Sequence, residues 1–198
     1  MHLNSELLFL KYAKEYFNSK IKVIEIGPDK VPSTYNCLIR DTTITWDTLD
    51  IYKSNKVTYC VPEENVYPIN DNYYDIVLSG QVMEHVKKIW MWIKELARIC
   101  KRNGYVIIIN PVSWIYHESP IDCWRAYPEG MKALYEEAGL EVVMSVWESL
   151  EIPNYRRYTP GISLQHHGWK YRIINMLLGK FGWPVERSYD TITIGRKV

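Results

Sequence analysis

A glycine and several carboxylates stand where the sequence predicts that strands end. The β-branched run over residues 21–26 contains Glu25 and leads into Gly27. A dinucleotide site needs the pattern G-x-G-x-x-G so that the backbone can approach a pyrophosphate, and only Gly27 is present here. A nucleoside without phosphates needs no such cradle, but its ribose hydroxyls need a carboxylate about 20 residues further on. Asp50 stands at that spacing, and Asp47 is the alternative.

More polar residues follow the third and fourth predicted strands. Glu63, with Glu64 beside it, has the chemistry to accept a hydrogen bond from an exocyclic amine such as that of adenine. The fourth strand ends at Gly80, where a backbone can approach a ligand closely, and Gln81, Glu84 and His85 come next. These positions predict ligand contacts at successive strand ends.

A further polar segment, residues 111–143, follows the fifth predicted strand. Histidine titrates near neutral pH, so His117 is the first candidate for a general base, with Asp122 either orienting it or acting itself, and His85 is the second candidate. A lone histidine is more often a structural hydrogen-bond partner, and that alternative stays open. A divalent metal held by His117, Glu118 and Asp122 is chemically reasonable, but the spacing matches no metal motif, so the metal is left undetermined.

The same segment offers groups that could bind an acceptor molecule. Aromatic faces stack on sugar rings, while carboxylate and guanidinium groups bind hydroxyls. The candidate acceptor-binding residues are Tyr116, Glu118, Trp124 and Arg125. The alternative is that Trp124 and Arg125 hold this loop against the following helix.

Hydrophobic periodicity and turn residues predict the elements that position these groups. They are a helix over 4–18, strands over 21–26, 42–51, 56–61 and 73–79, a helix over 86–100, a strand over 105–109, a helix over 128–138, a strand over 140–147, a helix over 169–178 and a strand over 191–194. Asn4 or Ser5 is expected to cap the first helix, and residues 151–167 have no regular pattern. Alternating strands and helices predict an α/β fold with a mainly parallel sheet, whose ligand site lies at the carboxyl ends of the strands.

Composition narrows the class of protein. The chain has 198 residues, with 24 Lys and Arg against 23 Asp and Glu, and a net charge of +1. This balance argues against nucleic-acid binding, which depends on many basic contacts. No apolar stretch is long enough to span a bilayer, and the four cysteines form no C-x-x-C pair. We expect a cytoplasmic protein with one domain over 1–198, in which residues 1–20 cap the site and 151–185 form a lid.

The motifs together resemble the class I S-adenosylmethionine-dependent methyltransferases, over about residues 20–148. The family's first motif is similar to EIGP at 25–28, the acidic end of its second strand to LDI at 49–51, and its adenine-holding stretch to PEENVYP at 62–68. The family's D-x-V-x-S-x-x-x-E-H-V block is matched by YYDIVLSGQVMEHV at 73–86, with ELARICKRNGYVIIINP following at 95–111. The resemblance implies a Rossmann-like α/β fold with a seven-stranded, mainly parallel sheet whose last strand is antiparallel.

The resemblance also implies the cofactor, S-adenosylmethionine, and the residues that contact it. They are Glu25 and Gly27, with Pro28, at the methionine portion, Asp50 at the ribose, Glu63 at the adenine amine, and Gly80 and Gln81 at the sulfonium. The family's usual G-x-G is reduced here to Gly27-Pro28-Asp29. Residues 29–40 are expected to form a loop in place of the first crossover helix, with Asp29, Ser33 or Tyr35 closing the pocket.

The acceptor segment contains D-x-W-R-x-x-P-x-G over residues 122–130. Similar segments occur in methyltransferases of sugar and surface-glycan biosynthesis, so this resemblance implies O-methylation of a saccharide hydroxyl. The alternatives are a small-molecule or lipid acceptor, and a non-catalytic binding domain that kept the fold. An NAD-dependent oxidoreductase is disfavoured by the single glycine at the first turn. The oligomeric state is left undetermined.

Overall fold

The computed structural model describes residues 3–62, 66–118, 120–151 and 188–198, together with residues 173, 177, 180 and 181. The strands are β1 (Lys22–Ile26), β2 (Thr45–Asp50), β3 (Tyr59–Cys60), β4 (Tyr74–Gly80), β5 (Cys100–Pro111), β6 (Leu140–Glu148) and β7 (Asp190–Lys197). The α-helices are α1 (Leu3–Leu8), α2 (Thr34–Ile39), α3 (Ile89–Ile99) and α4 (Pro128–Glu137). The predicted helix over 169–178 and the predicted lid over 151–185 lie almost entirely outside the described residues.

The seven strands form one sheet in the order β3-β2-β1-β4-β5-β7-β6. Neighbouring strands from β3 to β5 are parallel, whereas β7 is antiparallel to both β5 and β6. This is the predicted Rossmann-like methyltransferase architecture. The carboxyl ends of β1, β2 and β4 therefore meet at one edge of the sheet, which is where a ligand site is expected.

Apolar side chains cover both faces of the sheet. Successive residues of a strand point to opposite faces. On β1, for example, Val23 packs in the cluster with α1, while Ile24 packs in the cluster with α3. The helix α3 buries Trp92, Ile93 and Leu96 against the second of these faces. The central strands are consequently apolar on both sides, as is typical of a covered parallel sheet.

The first helix differs in detail from its prediction. Helical backbone continues from α1 through a π-helical turn at Phe9–Ala13 and a 3₁₀ turn at Lys14–Tyr16. Asn4 and Ser5 do not cap the helix, because they lie inside α1 and are fully buried. Their side chains instead bind residues of the sheet and of α2.

The expected loop over residues 29–40 is wrong, since the short helix α2 occupies its second half. Ser33 caps this helix by accepting a hydrogen bond from the Asn36 backbone N–H at 3.1 Å. Tyr35 is fully buried, with its ring centroid 4.6 Å from that of Phe9. Tertiary packing on Tyr35 therefore stabilises a helix for which the local sequence gives little signal.

Among the residues that the structure describes, no helix combines the length and the apolar character needed to cross a membrane.

Candidate active site

The site begins with the turn after β1. Gly27 has a φ of +66°, and its N–H donates to the Leu49 carbonyl at 2.8 Å. A Cβ at this position would overlap a methyl group of Val82. Both the backbone conformation and the close approach therefore require glycine. The turn joins the ends of β1, β2 and β4 tightly enough to form one wall of a pocket.

A pocket of about 260 Å³ lies at this edge of the sheet. Its apolar walls are formed by Ile26, Leu49, Val61, Val82, Val86 and Trp92. Four predicted site residues line it, namely Gly27, Asp50, Gln81 and His85. An apolar slot with a few polar groups at its margin is typical of a small-molecule site.

The structure distinguishes between the two candidate acids on β2. Asp50 is half-buried at the end of the strand and lines the pocket. One of its oxygens, Oδ1, accepts from the Tyr52 N–H at 2.9 Å. Asp47 does not line the pocket, and its carboxylate accepts hydrogen bonds from the Tyr74 hydroxyl at 2.9 Å and from the Thr58 hydroxyl at 3.3 Å. Asp50 is therefore the acid with access to a ligand.

Glu25 is buried and does not line the pocket. Its Oε2 accepts hydrogen bonds from the Ser33 hydroxyl and, at 2.9 Å, from Trp46 Nε1. The side chain is almost completely buried, and this burial raises the pKa of Glu25 to about 7, although both hydrogen bonds act in the opposite direction. Its predicted contact with the methionine portion remains a prediction. Pro28 is half-buried beside Gly27, and Glu63 lies outside the described residues.

Gly80 ends β4 and Gln81 follows it, and both residues meet a buried polar network that the sequence did not indicate. A Cβ on Gly80 would overlap the Tyr35 hydroxyl. Gln81 Nε2 donates to Asp190 Oδ1 at 3.2 Å and to Ser5 Oγ at 3.3 Å. Ser5 in turn lies 2.8 Å from the Tyr35 hydroxyl.

Asn4 completes this network by donating to Asp190 Oδ2 at 2.6 Å. The network fastens the N-terminal helix to the edge of the pocket. The only sequence signal was a pair of polar residues on the first turn of an amphipathic helix, and a capping role explained that pair equally well.

A second polar cluster, which we call the acceptor cluster, consists of Glu84, His85 and His117. One potential ligand atom from each residue lies within 4.8 Å of the others. The His85 and His117 rings are edge to face, with centroids 4.9 Å apart. His85 Nδ1 donates to the Ile121 carbonyl, and its Nε2 lies 3.7 Å from Glu84 Oε1. The sequence assigned no role to Glu84, although it stands in the E-H-V motif.

Burial governs the electrostatics of the acceptor cluster. It raises the pKa of Glu84 to about 8 and lowers the pKa of His85, because both charged forms lose solvation. The guanidinium of Arg125, whose charge acts on both groups, is paired with Asp122. His85 is therefore favoured as a neutral imidazole that carries its proton on Nδ1, which leaves Nε2 unprotonated.

Asp122 and Arg125 form an ion pair within the acceptor segment. Arg125 donates to both carboxylate oxygens, at 2.6 Å for the Nη2–Oδ2 bond, and the His117 backbone N–H donates to Oδ2 at 2.8 Å. Burial alone would raise the pKa of Asp122, but these hydrogen bonds leave it lowered. His117 Nδ1 lies 3.4 Å from Asp122 Oδ2. This geometry favours the orienting role for Asp122 over that of a base.

The other predicted acceptor-binding residues divide between the interior and the surface. Trp124 Nε1 donates to the Val86 carbonyl at 2.8 Å, and its ring packs against the core. The Tyr116 hydroxyl donates to Glu118 at 2.6 Å, and both side chains are exposed. The predicted roles of these residues toward an acceptor remain predictions.

Comparison with known proteins gives one family match and several similar solved structures. Residues 34–108 match a family described as a methyltransferase domain. No curated protein sequence matches the chain significantly. A solved S-adenosylmethionine-dependent methyltransferase from Archaeoglobus fulgidus is 19% identical with a TM-score of 0.64, and the alignment covers 98% of this chain and 94% of that one.

Two other similar structures show the range of reactions that this fold supports. Phosphoethanolamine N-methyltransferase 2 from Haemonchus contortus, in complex with phosphomonomethylethanolamine and S-adenosylhomocysteine, is 13% identical with a TM-score of 0.60. That alignment covers 95% of this chain and 52% of the other. The [4+2]-cyclase SpnF is 15% identical with a TM-score of 0.63, over 98% of this chain and 81% of the other. At these identities the structural similarity establishes the fold alone.

The methyltransferase-domain match and the fold together support one class of protein, an S-adenosylmethionine-dependent methyltransferase of class I. The pocket presents the Asp50 carboxylate beside apolar walls. The turn with a single glycine lacks the backbone geometry that binds a pyrophosphate, and S-adenosylmethionine contains no phosphate group.

Proposed function

We propose that this protein transfers the methyl group of S-adenosylmethionine to a hydroxyl group of a small saccharide. The observation that carries the proposal is the juxtaposition of two sites in one pocket. Gly27 and Asp50 line this pocket, and so does His85 of the acceptor cluster. A nucleoside cofactor and an acceptor could thus meet in the same cavity.

The cofactor supplies a methyl group on a positively charged sulfur, so that an O–C bond forms as the C–S bond breaks and its electron pair stays on sulfur. A hydroxyl oxygen is a weak nucleophile at neutral pH, and a positioned base accelerates such reactions by about 10²–10⁴-fold. His85 lines the pocket with Nε2 unprotonated, so the acceptor cluster can receive the hydroxyl proton. Alignment of the two reactants supplies further acceleration, up to roughly 7–11 kcal/mol in favourable systems.

A saccharide is the acceptor that the surface near this edge suits best. Tyr127, Trp147 and Tyr189 form a chain of rings with centroid separations of 5.6 and 4.8 Å. Tyr127 and Trp147 are 55% and 45% exposed, so their rings are accessible to a ligand. Exposed aromatic faces beside the carboxyl ends of β5 and β6 support recognition of a sugar ring, together with the D-x-W-R-x-x-P-x-G segment.

The experiment combines cofactor binding with a product screen. Calorimetry should show S-adenosylhomocysteine binding, and mass spectrometry should find a mass increase of one methylene on a saccharide incubated with S-adenosylmethionine. The panel should include amine acceptors, because one similar structure is an N-methyltransferase. Methylation of amines alone would overturn the hydroxyl acceptor, and an absence of cofactor binding would overturn the proposal as a whole.

A variant at the acceptor cluster tests whether His85 acts in methyl transfer and not in cofactor binding. We expect His85→Gln to lower the methyl-transfer rate by about 10²-fold or more, because the group that receives the proton is lost. S-adenosylhomocysteine affinity should change by less than about threefold. A normal rate in this variant would remove His85 from the reaction.

A further inference from the structure

The acceptor cluster contains more ionisable side chains than proton transfer requires. Two imidazoles and one carboxylate converge, with one atom from each within 4.8 Å of the others. They come from two separate parts of the chain, the 3₁₀ turn at Met83–His85 after β4 and the segment after β5. A single base needs one of these groups, whereas a metal ion needs several.

Glu84 is the least expected member of the cluster. Its side chain is 1% exposed, and within the part of the chain that the structure describes, its Oε2 has no hydrogen-bond partner. A buried carboxyl oxygen without a partner is costly, because it has lost its hydration and gained nothing in return. The nearby guanidinium of Arg125 does not supply that partner, since its hydrogen bonds go to Asp122 and to backbone carbonyls.

Both histidines are held in the manner of metal ligands. A ligating histidine usually donates its second ring nitrogen to a carbonyl or carboxylate, which fixes the tautomer and aims the first nitrogen at the ion. His85 Nδ1 donates to the Ile121 carbonyl. His117 Nδ1 lies 3.2 Å from the Ile115 carbonyl and 3.4 Å from Asp122 Oδ2. In each ring the remaining nitrogen, Nε2, is left for another partner.

We propose that Glu84, His85 and His117 bind a divalent transition-metal ion. Two nitrogen ligands and one oxygen ligand suit Zn²⁺, Co²⁺, Mn²⁺ or Fe²⁺, whereas Mg²⁺ prefers oxygen ligands alone. Ligand atoms about 2.1 Å from a tetrahedral ion lie about 3.4 Å from one another. Side-chain rotations that bring the three atoms closer by up to about 1.4 Å would complete this geometry. The metal ligands predicted from sequence, His117, Glu118 and Asp122, thus share only His117 with this set.

The role of the ion follows from its place beside the pocket, and this step rests on the proposed function. Three protein ligands leave a fourth position open, and His85 places that position at the pocket wall. An acceptor hydroxyl bound there loses its proton more readily, because the ion stabilises the alkoxide. With the metal bound, His85 would be a ligand and no longer the group that receives the proton, so the ion would take over its part in activating the hydroxyl and the proton would leave to solvent water.

The test measures metal binding directly and does not depend on methyl transfer. Protein without an affinity tag is stripped with a chelator and titrated with Co²⁺, followed by its visible d–d absorption, and with Zn²⁺ and Mn²⁺ by calorimetry. We expect one ion per chain. Glu84→Gln, His85→Gln and His117→Gln should each weaken binding by at least about 100-fold. His117 is 35% exposed in its side chain, so its variant is the one that best preserves the fold.

The adjacent pair His166 and His167 provides the control, because it is the obvious alternative chelator in the chain. A double variant with alanine at both positions should bind the ion as the unmodified protein does. Loss of binding in this double variant, survival of binding in His117→Gln, or no binding of any of the three ions would overturn the metal site. S-adenosylhomocysteine titrations of the same samples separate the two proposals. Cofactor binding without metal binding rejects the metal site alone, and the converse rejects the proposed function alone.

Discussion

The buried Glu25 carboxyl gives the protein a pH-dependent stability that one substitution should remove. In an unfolded chain a glutamate has an ordinary pKa of 4.5, whereas burial raises the folded-state pKa of Glu25 to about 7. The folded protein therefore binds more protons than the unfolded chain between these values, so its stability falls as the pH rises from about 4.5 to 7. A shift of one pKa unit corresponds to about 1.36 kcal/mol of free energy. The free energy of unfolding therefore falls by about 3 kcal/mol across this pH range.

Glu25→Gln keeps the shape of the side chain and an oxygen that can accept from Ser33 and Trp46, but it cannot ionise. We expect the variant to gain about 3 kcal/mol relative to the unmodified protein between pH 4.5 and pH 8. The measurement is urea denaturation of both proteins at several pH values, with the difference in unfolding free energy plotted against pH. Any constant offset caused by the amide does not affect the slope.

Glu137→Gln is the matched control, because the pKa of Glu137 is shifted in the opposite direction from that of Glu25. The Lys94 ammonium donates to exposed Glu137 and lowers the pKa of that carboxyl. Its variant should lose a little stability at neutral pH and none in acid. If the difference in unfolding free energy between Glu25→Gln and the unmodified protein stays constant from pH 4.5 to 8, the argument that burial raises the pKa of Glu25 is refuted.

Two further predictions concern the pocket and the packing behind it. Asp50→Asn should weaken S-adenosylhomocysteine binding by about 10- to 100-fold in calorimetry, because a hydrogen bond to a charged group is worth about 1.5–3 kcal/mol. Asp47→Asn should instead lower the melting temperature and leave the affinity for S-adenosylhomocysteine unchanged. Equal affinities of the two variants would contradict the assignment of Asp50 as the residue that binds the ribose. Gly80→Ala should cost about 1–3 kcal/mol of stability, since its methyl group overlaps Tyr35. Gly130→Ala in α4 should be neutral or stabilising by up to about 1 kcal/mol, because no described atom outside the helix's own backbone lies within 4 Å of the added methyl group. Matching melting curves for the two alanine variants would refute the overlap at Gly80.

The repeating patterns of the chain were sufficient for the architecture. Apolar runs of strand length alternate with a strongly amphipathic segment, and this alternation predicted the parallel sheet and α3 within a few residues. The parallel sheet then placed the ends of β1, β2 and β4 together, so Gly27, Asp50, Gln81 and His85 could be assigned to one pocket. Such inferences succeed because strand and helix periodicities are local properties that the whole sheet reinforces.

Local patterns failed where a short segment depends on distant partners. The helix α2 exists because Ser33 and Tyr35 have partners in the folded protein, and a six-residue helix has little stability of its own. Asn4 and Ser5 resembled capping residues, yet they bind Asp190 and Tyr35 across the fold. No spacing within the sequence reports a contact between residues 4 and 190.

The sequence by itself determined the order of the elements, the edge of the sheet where a ligand site is expected, and the presence of a single glycine at the turn after β1. Only the tertiary structure separated Asp50 from Asp47, brought Glu84 and His85 to His117, and paired Asp122 with Arg125. The physical reason is that the backbone pattern specifies where a strand ends, whereas the chemistry of a side chain depends on its burial and on its hydrogen-bond partners. Those partners come from segments that meet only when the sheet is assembled.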